Sequence, residues 1–219
     1  MTEFFETFNN GARYLREEKE FQKVNVVQAK RAGRGPQPLD LESGRIVLVR
    51  PGERVASRGL TVQRASADEY QATGRVAVHA YLDGGELRHD DPYLDVLRDV
   101  ASRDRQAEVW VVLDQDRVVG TLTWCPEGSP LRELAGPGEG EFRMLAVDPA
   151  AQGSGAGRLL VEAAVSRARA DGLAAIVISS SPWMTTAHAL YRSLGFVRAP
   201  ELDWSPRPDV QLLAFRLEL

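Results

Sequence analysis

Gln152-Gly153-Ser154-Gly155-Ala156-Gly157 places three glycines in six residues, between an apolar run from Phe142 to Val147 and an amphipathic stretch from Arg158 to Ala170. A strand that feeds a helix through such a turn constrains this chain more than any other feature. Glycine lets backbone run where a Cβ would clash. A helix start presents unpaired N–H groups and the positive end of a dipole. Together these make a seat for a phosphate-bearing group. The turn lacks the G-x-x-x-x-G-K-[ST] order of a P-loop. Its Gly153-x-Gly155-x-Gly157 spacing also differs from the G-x-G-x-x-G of a dinucleotide-binding fold. A nucleotide-like cofactor of another kind is expected.

Periodicity organises the rest of the chain from Leu60 onward. Leu60 to Arg64 alternates like a strand, and Asp68 to Tyr81 has helical character. Tyr93 to Ser102 reads as one helix, with Leu94, Leu97 and Val100 on one side. Glu108–Leu113 and Val118–Thr123 read as strands of a hairpin across the polar turn Asp114 to Arg117. A Gly/Pro-rich loop, Pro126 to Gly140, precedes the glycine turn. After it, Leu160, Val161, Ala164, Val165 and Ala168 form an apolar stripe, and Ala175–Ile178 suits a buried parallel strand. Thr185 to Leu194 reads as a helix stopped by Gly195, followed by strands at Phe196–Val197 and Val210–Leu217.

Residues 1–58 differ in kind. Their net charge is +3, against -7 for the remainder. Phe4, Phe5, Phe8, Ala12 and Leu15 suggest a short amphipathic helix within 3–22, and a Gly/Pro/Arg-rich linker follows. Ile46–Val49 suits a short strand. A domain start is expected near Gly59. One cysteine, Cys125, excludes an intrachain disulfide, and the N-terminus lacks a secretory signal, so a cytoplasmic location is expected. No run reaches the length of a membrane span, and a net charge of -4 gives no general attraction to nucleic acid. His79, His89 and His188 lack metal-ligand spacing, so no metal is expected.

The element order resembles the GCN5-related N-acetyltransferase (GNAT) superfamily, over about residues 60–219. Three matches carry it. Gln152, Gly155 and Gly157 fit the family's Q/R-x-x-G-x-G/A loop. Leu145-Ala146-Val147-Asp148-Pro149 resembles L-x-V-x-P, and Ala187 to Phe196 resembles A-x-x-L-Y-x-x-L-G-F. The resemblance implies an α/β (α+β) acyl-CoA N-acyltransferase fold: a twisted, mixed, mainly antiparallel sheet flanked by helices. It implies transfer of an acetyl group from acetyl-CoA to a primary amine, small-molecule or protein, by direct attack in a ternary complex. By the same resemblance Gln152, Gly153, Ser154, Gly155, Ala156, Gly157 and Arg158 hold the pyrophosphate. Leu145, Ala146 and Val147 pair with the pantetheine. Tyr191 is the acid for the departing thiolate. Glu141 is the base, directly or through water, with Glu139 a weaker rival. Period two would put Glu141, Arg143, Leu145 and Val147 on one face. Many relatives carry Asn where this chain has Met184, which offers only packing. That departure keeps open a non-catalytic acyl-CoA sensor or interaction module. The acidic connection Asp83 to Asp91 would draw a cationic acceptor, with Trp110, Trp124, Trp183 and Trp204 available for an apolar wall. The acceptor is not named by the sequence, and a homodimer is compatible with it.

Overall fold

The computed structural model describes residues 45–47, 59–85 and 87–219. The expected helix within 3–22 and the linker lie outside the described residues, apart from three positions. Those three, Arg45–Val47, form β1 and pair antiparallel with β2 (Leu60–Arg64). The sheet therefore begins inside the segment expected as an extension.

Two apolar runs joined by a polar turn favour a hairpin, and β3 (Glu108–Asp114) and β4 (Arg117–Cys125) form it. β5 (Glu139–Val147) pairs antiparallel with β4. A parallel neighbour needs a crossover connection, and α4 (Ala156–Ala170) supplies it, returning the chain to β6 (Ala175–Ser180). The described strands follow the order β1-β2-β3-β4-β5-β6-β9-β7. β7 is Val197–Arg198 and β9 is Val210–Glu218. β8 (Trp204–Arg207), which the periodicity did not predict, pairs with β9 off this path.

Alternate residues of β3 show what covers each face. Val109, Val111 and Leu113 pack with Val76 of α1 (Tyr70–Asp83) and with Val100. Trp110 and Val112 pack with Leu160, Val161 and Ala164 of α4. Residues 93–106 form two short helices on the α1 side, α2 (Tyr93–Arg98) and α3 (Val100–Gln106), where one was expected. Asp99 makes the break: it leaves helical geometry, and its carboxylate accepts from the Ser102 amide as the N-cap of α3. α5 (Thr185–Ser193) lies on the α4 side, where Tyr191 meets Phe142 and Phe215.

Gly140 is fixed by close approach. A Cβ there would lie 2.5 Å from Cη2 of Trp124, whose side chain is fully buried. Gly140→Ala is expected to cost about 1–3 kcal/mol through overpacking. Thermal denaturation checks this, and an unchanged melting temperature would show that Trp124 gives way.

Candidate active site

The glycine turn forms as its composition requires. Asp148 ends β5 and caps a short 3-10 turn, Pro149–Ala151, by accepting from the Ala150 amide. Gln152, Gly153 and Ser154 are exposed. Gly155 is the N-cap of α4 with φ of 94°, in the left-handed region. The helix starts at Ala156, two residues earlier than expected. Ala156 is buried, and its amide donates to Ser154 Oγ at 3.3 Å. Gly157 faces Val147 and Leu190, so the first turn sits close to both β5 and α5. Its amide and that of Arg158 belong to the open first turn, where no preceding helical carbonyl is available. The Arg158 guanidinium is engaged, donating to Ser193 Oγ at 2.7 Å and lying 3.5 Å from Glu162.

Beside this turn the sheet opens. β5 and β6 share only the rungs Glu139↔Ala175, Gly140↔Ile176 and Glu141↔Val177. Beyond them the strands share no further rung, while β5 runs on to Val147. The β6-facing edge of residues 142–147 is thus left without a neighbouring strand. The β4–β5 register slips in the same stretch, with Thr121 opposite Ala146 but Thr123 opposite Arg143. Met144, at φ of 54°, sits at this bulge.

The bulge overturns the expected shared face. One extra residue reverses the alternation of every side chain after it. Arg143 lies with Glu141 against the loop after β4. Met144 and Ala146 then pack with Ala77, Leu94 and Leu97 on the α1–α2 side. Leu145 and Val147 pack on the α4 side. Leu145 and Val147 are therefore opposite Glu141 and Arg143.

Tyr191 closes the α5 side of the opening. Its ring lies 6.1 Å from that of Phe142 on β5 and 5.8 Å from that of Phe215 on β9, the strands flanking β6. Burial pushes its hydroxyl pKa up, so it holds its proton. His188 is buried on the same helix, with Nε2 3.2 Å from Ser180 Oγ of β6. Burial, and then Arg192, hold its pKa below the usual imidazole value. Met184 Sδ accepts from Ser180 Oγ at 3.3 Å. Burial lifts the Cys125 thiol to about 12, which leaves it un-ionised near neutral pH.

The carboxylates are arranged differently from expectation. Glu141 is 1% exposed. Its oxygens accept from the amides of Glu133, Leu134 and Ala135 at 3.0, 2.9 and 2.9 Å. These bonds tie the expected base to the loop after β4. Glu139 accepts from the Gly136 amide and pairs with Arg216. Burial pushes Glu139 up, but these bonds outweigh it and hold its carboxyl below the usual range.

Glu133 was missed by the sequence reading. Its Oε1 lies 2.7 Å from Arg143 Nη2, and its buried Oε2 has no hydrogen-bond partner. Burial lifts it to about 7, beyond the opposing pull of Arg143. The folded chain therefore binds more protons than the unfolded one between about 4.5 and 7, and this group's contribution to stability falls as pH rises through that window.

Glu133 and Arg143 line a cleft of about 310 Å³ on the α1–α2 side, together with Tyr81, Tyr93, Ser180 and Trp183. Of the four tryptophans, Trp183 lines it at 51% exposed, while Trp110 and Trp124 stack in the core. Three described acids at or near the connection between α1 and α2 have partners: Asp90 with Arg88, Asp91 with Arg207 and Asp95 with Arg98. A wider groove of about 1140 Å³ lies between α1 and the β3–β4 turn, and neither the strand opening nor Tyr191 borders it.

Comparison with known proteins agrees with this fold. The family described as acetyltransferase (GNAT) matches residues 73–196. An IAA acetyltransferase of Azospirillum brasilense is 39% identical over 90 residues, 41% of this chain and 57% of that protein. A mycothiol acetyltransferase of Kocuria rhizophila is 29% identical over 180 residues, 80% of this chain and 54% of that protein. Each match thus spans little more than half of the relative's length. YncA of Salmonella typhimurium, solved with its cofactor acetyl-CoA, superposes with a TM-score of 0.54 at 23% identity, over 73% of this chain and 94% of that one. Among the described residues no helix is long and apolar enough to cross a membrane.

Proposed function

Because the chain belongs to the acetyltransferase (GNAT) family, we propose that it moves an acetyl group from acetyl-CoA to a primary amine. The observation that carries this reading is the parting of β5 from β6 after three rungs, beside an open helix start. A pantetheine arm is an extended, amide-bearing chain, suited to adding along an unpaired strand edge. A diphosphate suits amides at a helix N-terminus. Residues Leu145 to Val147 would hold the first and Gln152 to Arg158 the second. Acetyl-CoA supplies a thioester carbonyl open to attack by an amine.

The chain's own groups provide the rest. Met144 turns the backbone at the bulge, so amides there are re-aimed from the β4 ladder. An amide donor set where negative charge develops on an oxygen lowers the barrier. Tyr191 keeps a protonated hydroxyl at the α5 side, available to the departing thiolate. Tyr191→Phe is expected to lower kcat about 10²-fold, a typical general-acid contribution, with acetyl-CoA affinity unchanged. Stopped assays of thiol release check it, and an unaltered kcat would remove Tyr191 from the chemistry.

The acceptor is read as a small primary amine. The cleft volume and the small-molecule names of the sequence relatives support a small acceptor. Calorimetric titration of acetyl-CoA and free coenzyme A, followed by thiol release with a panel of amines, tests the reading. Absence of micromolar cofactor binding would overturn it. Binding without turnover of any amine would favour an acyl-CoA sensor.

A further inference from the structure

We propose that Glu133 is the base that takes the proton from the acceptor's ammonium group, and that the cleft it lines receives a primary amine on a compact aromatic body. The inference rests on the acetyltransfer reading above and names the acceptor site within it.

Three carboxylates stand near the head of β5, and two are committed. Glu141 is held by loop amides, and Glu139 by Arg216 and Gly136. Glu133 alone among them has an oxygen with no donor, and that oxygen is buried. Leaving a buried acceptor unpaired is costly, and Glu133 borders the cleft, so a donor that enters beside it would complete the site. An ammonium group brings three N–H donors and a charge opposite to the carboxylate's. Arg143 fixes the other oxygen at 2.7 Å, which keeps the carboxylate from turning away.

The cleft also leads to the right place. Met144, at the bulge, and Ser180, on β6, both border it. These residues belong to the two strands that part. An amine at Glu133 thus faces the slot proposed for the thioester, with Tyr191 on the opposite side of the sheet. Tyr81, Tyr93 and Trp183 add ring surface, which favours an aromatic body and a cation.

Several titratable groups face Glu133. Arg143 and Glu141 come from β5, Cys125 from β4 and Tyr93 from α2, the last two held neutral by burial. Arg88, Asp91, Arg207 and Asp209 border the cleft, with Asp91 and Asp209 both paired to Arg207. Burial leaves the carboxyl poised near 7, where a general base works best at neutral pH.

The carboxylate takes one proton from the ammonium. The freed nitrogen forms the N–C bond as the C–S bond breaks. A second nitrogen proton neutralises the thiolate by way of the Tyr191 hydroxyl, and Glu133 returns its proton to solvent.

Phenethylamine is the probe, with the full chain. In calorimetry on protein saturated with free coenzyme A, Glu133→Gln should weaken phenethylamine binding at least ~10-fold while acetyl-CoA affinity, the check on folding, is unchanged. In turnover, wild-type kcat/KM should rise with pH through about 7, and Glu133→Gln should lose that limb with a fall of about 10²–10³-fold. Glu133→Asp should restore part of both. Amine affinity and pH limb both intact in Glu133→Gln would overturn the role. Wild-type protein that binds acetyl-CoA but neither binds nor acetylates phenethylamine would overturn the acceptor site. Wild-type protein that binds no acetyl-CoA would remove the wider reading, and this one with it.

Discussion

Gly155→Glu should lower acetyl-CoA affinity at least ~100-fold, the larger part through repulsion of a phosphate at a helix start. The residue lies at φ of 94°, where a side chain adds strain of about 1–2 kcal/mol. It is also the N-cap of α4, so a carboxylate there meets any anion at the open first turn. Calorimetry on the variant and the wild type reads the effect directly. A melting temperature close to wild type with binding lost would place the diphosphate at this turn. Retained affinity would move it elsewhere.

Glu141→Ala should be the most destabilising single change in the site, by about 3–5 kcal/mol, because it strands three loop amides that now donate to one buried carboxylate. For a chain of 219 residues that is a fall of roughly 10 °C in melting temperature. Proteolysis should then cut within the Pro126–Gly138 loop. The same measurements on Glu141→Gln separate two roles. A Gln variant that melts like wild type but turns over no amine would return Glu141 to catalysis. A variant that loses stability with cofactor affinity intact would confirm it as the loop's anchor.

The parts of the site made by contiguous residues were legible in the sequence. The strand before the glycine turn and the Tyr191 helix form close to where their patterns indicated, and the helix after the turn starts two residues early. Three features were not, for different reasons. The bulge at Met144 reversed the faces of Leu145 and Val147, and a methionine carries no signal for a positive φ. Glu133 has no local distinction in a polar loop. Its character comes from Arg143, ten residues on and on another element, and from burial. β8 was hidden because Pro206 argues against a strand, although the turn at Pro208–Asp209 marks the hairpin it forms with β9. The break at Asp99 was readable after all, since Asp followed three residues later by a capped amide is a helix start.

The seam between β5 and β6 has a mechanical meaning. Three rungs are all that join the two halves of the sheet along the strands, so the halves meet at a hinge with two long arms. Gly140 stands in that hinge, pressed against Trp124 and Leu173, and acts as its stop. A change in packing at this closed end would therefore reach the slot without altering the groups beside it. Drift among related chains at positions 124, 140 and 173 would then tune the gap as a jaw is set by its pivot, without touching a group that meets the substrate.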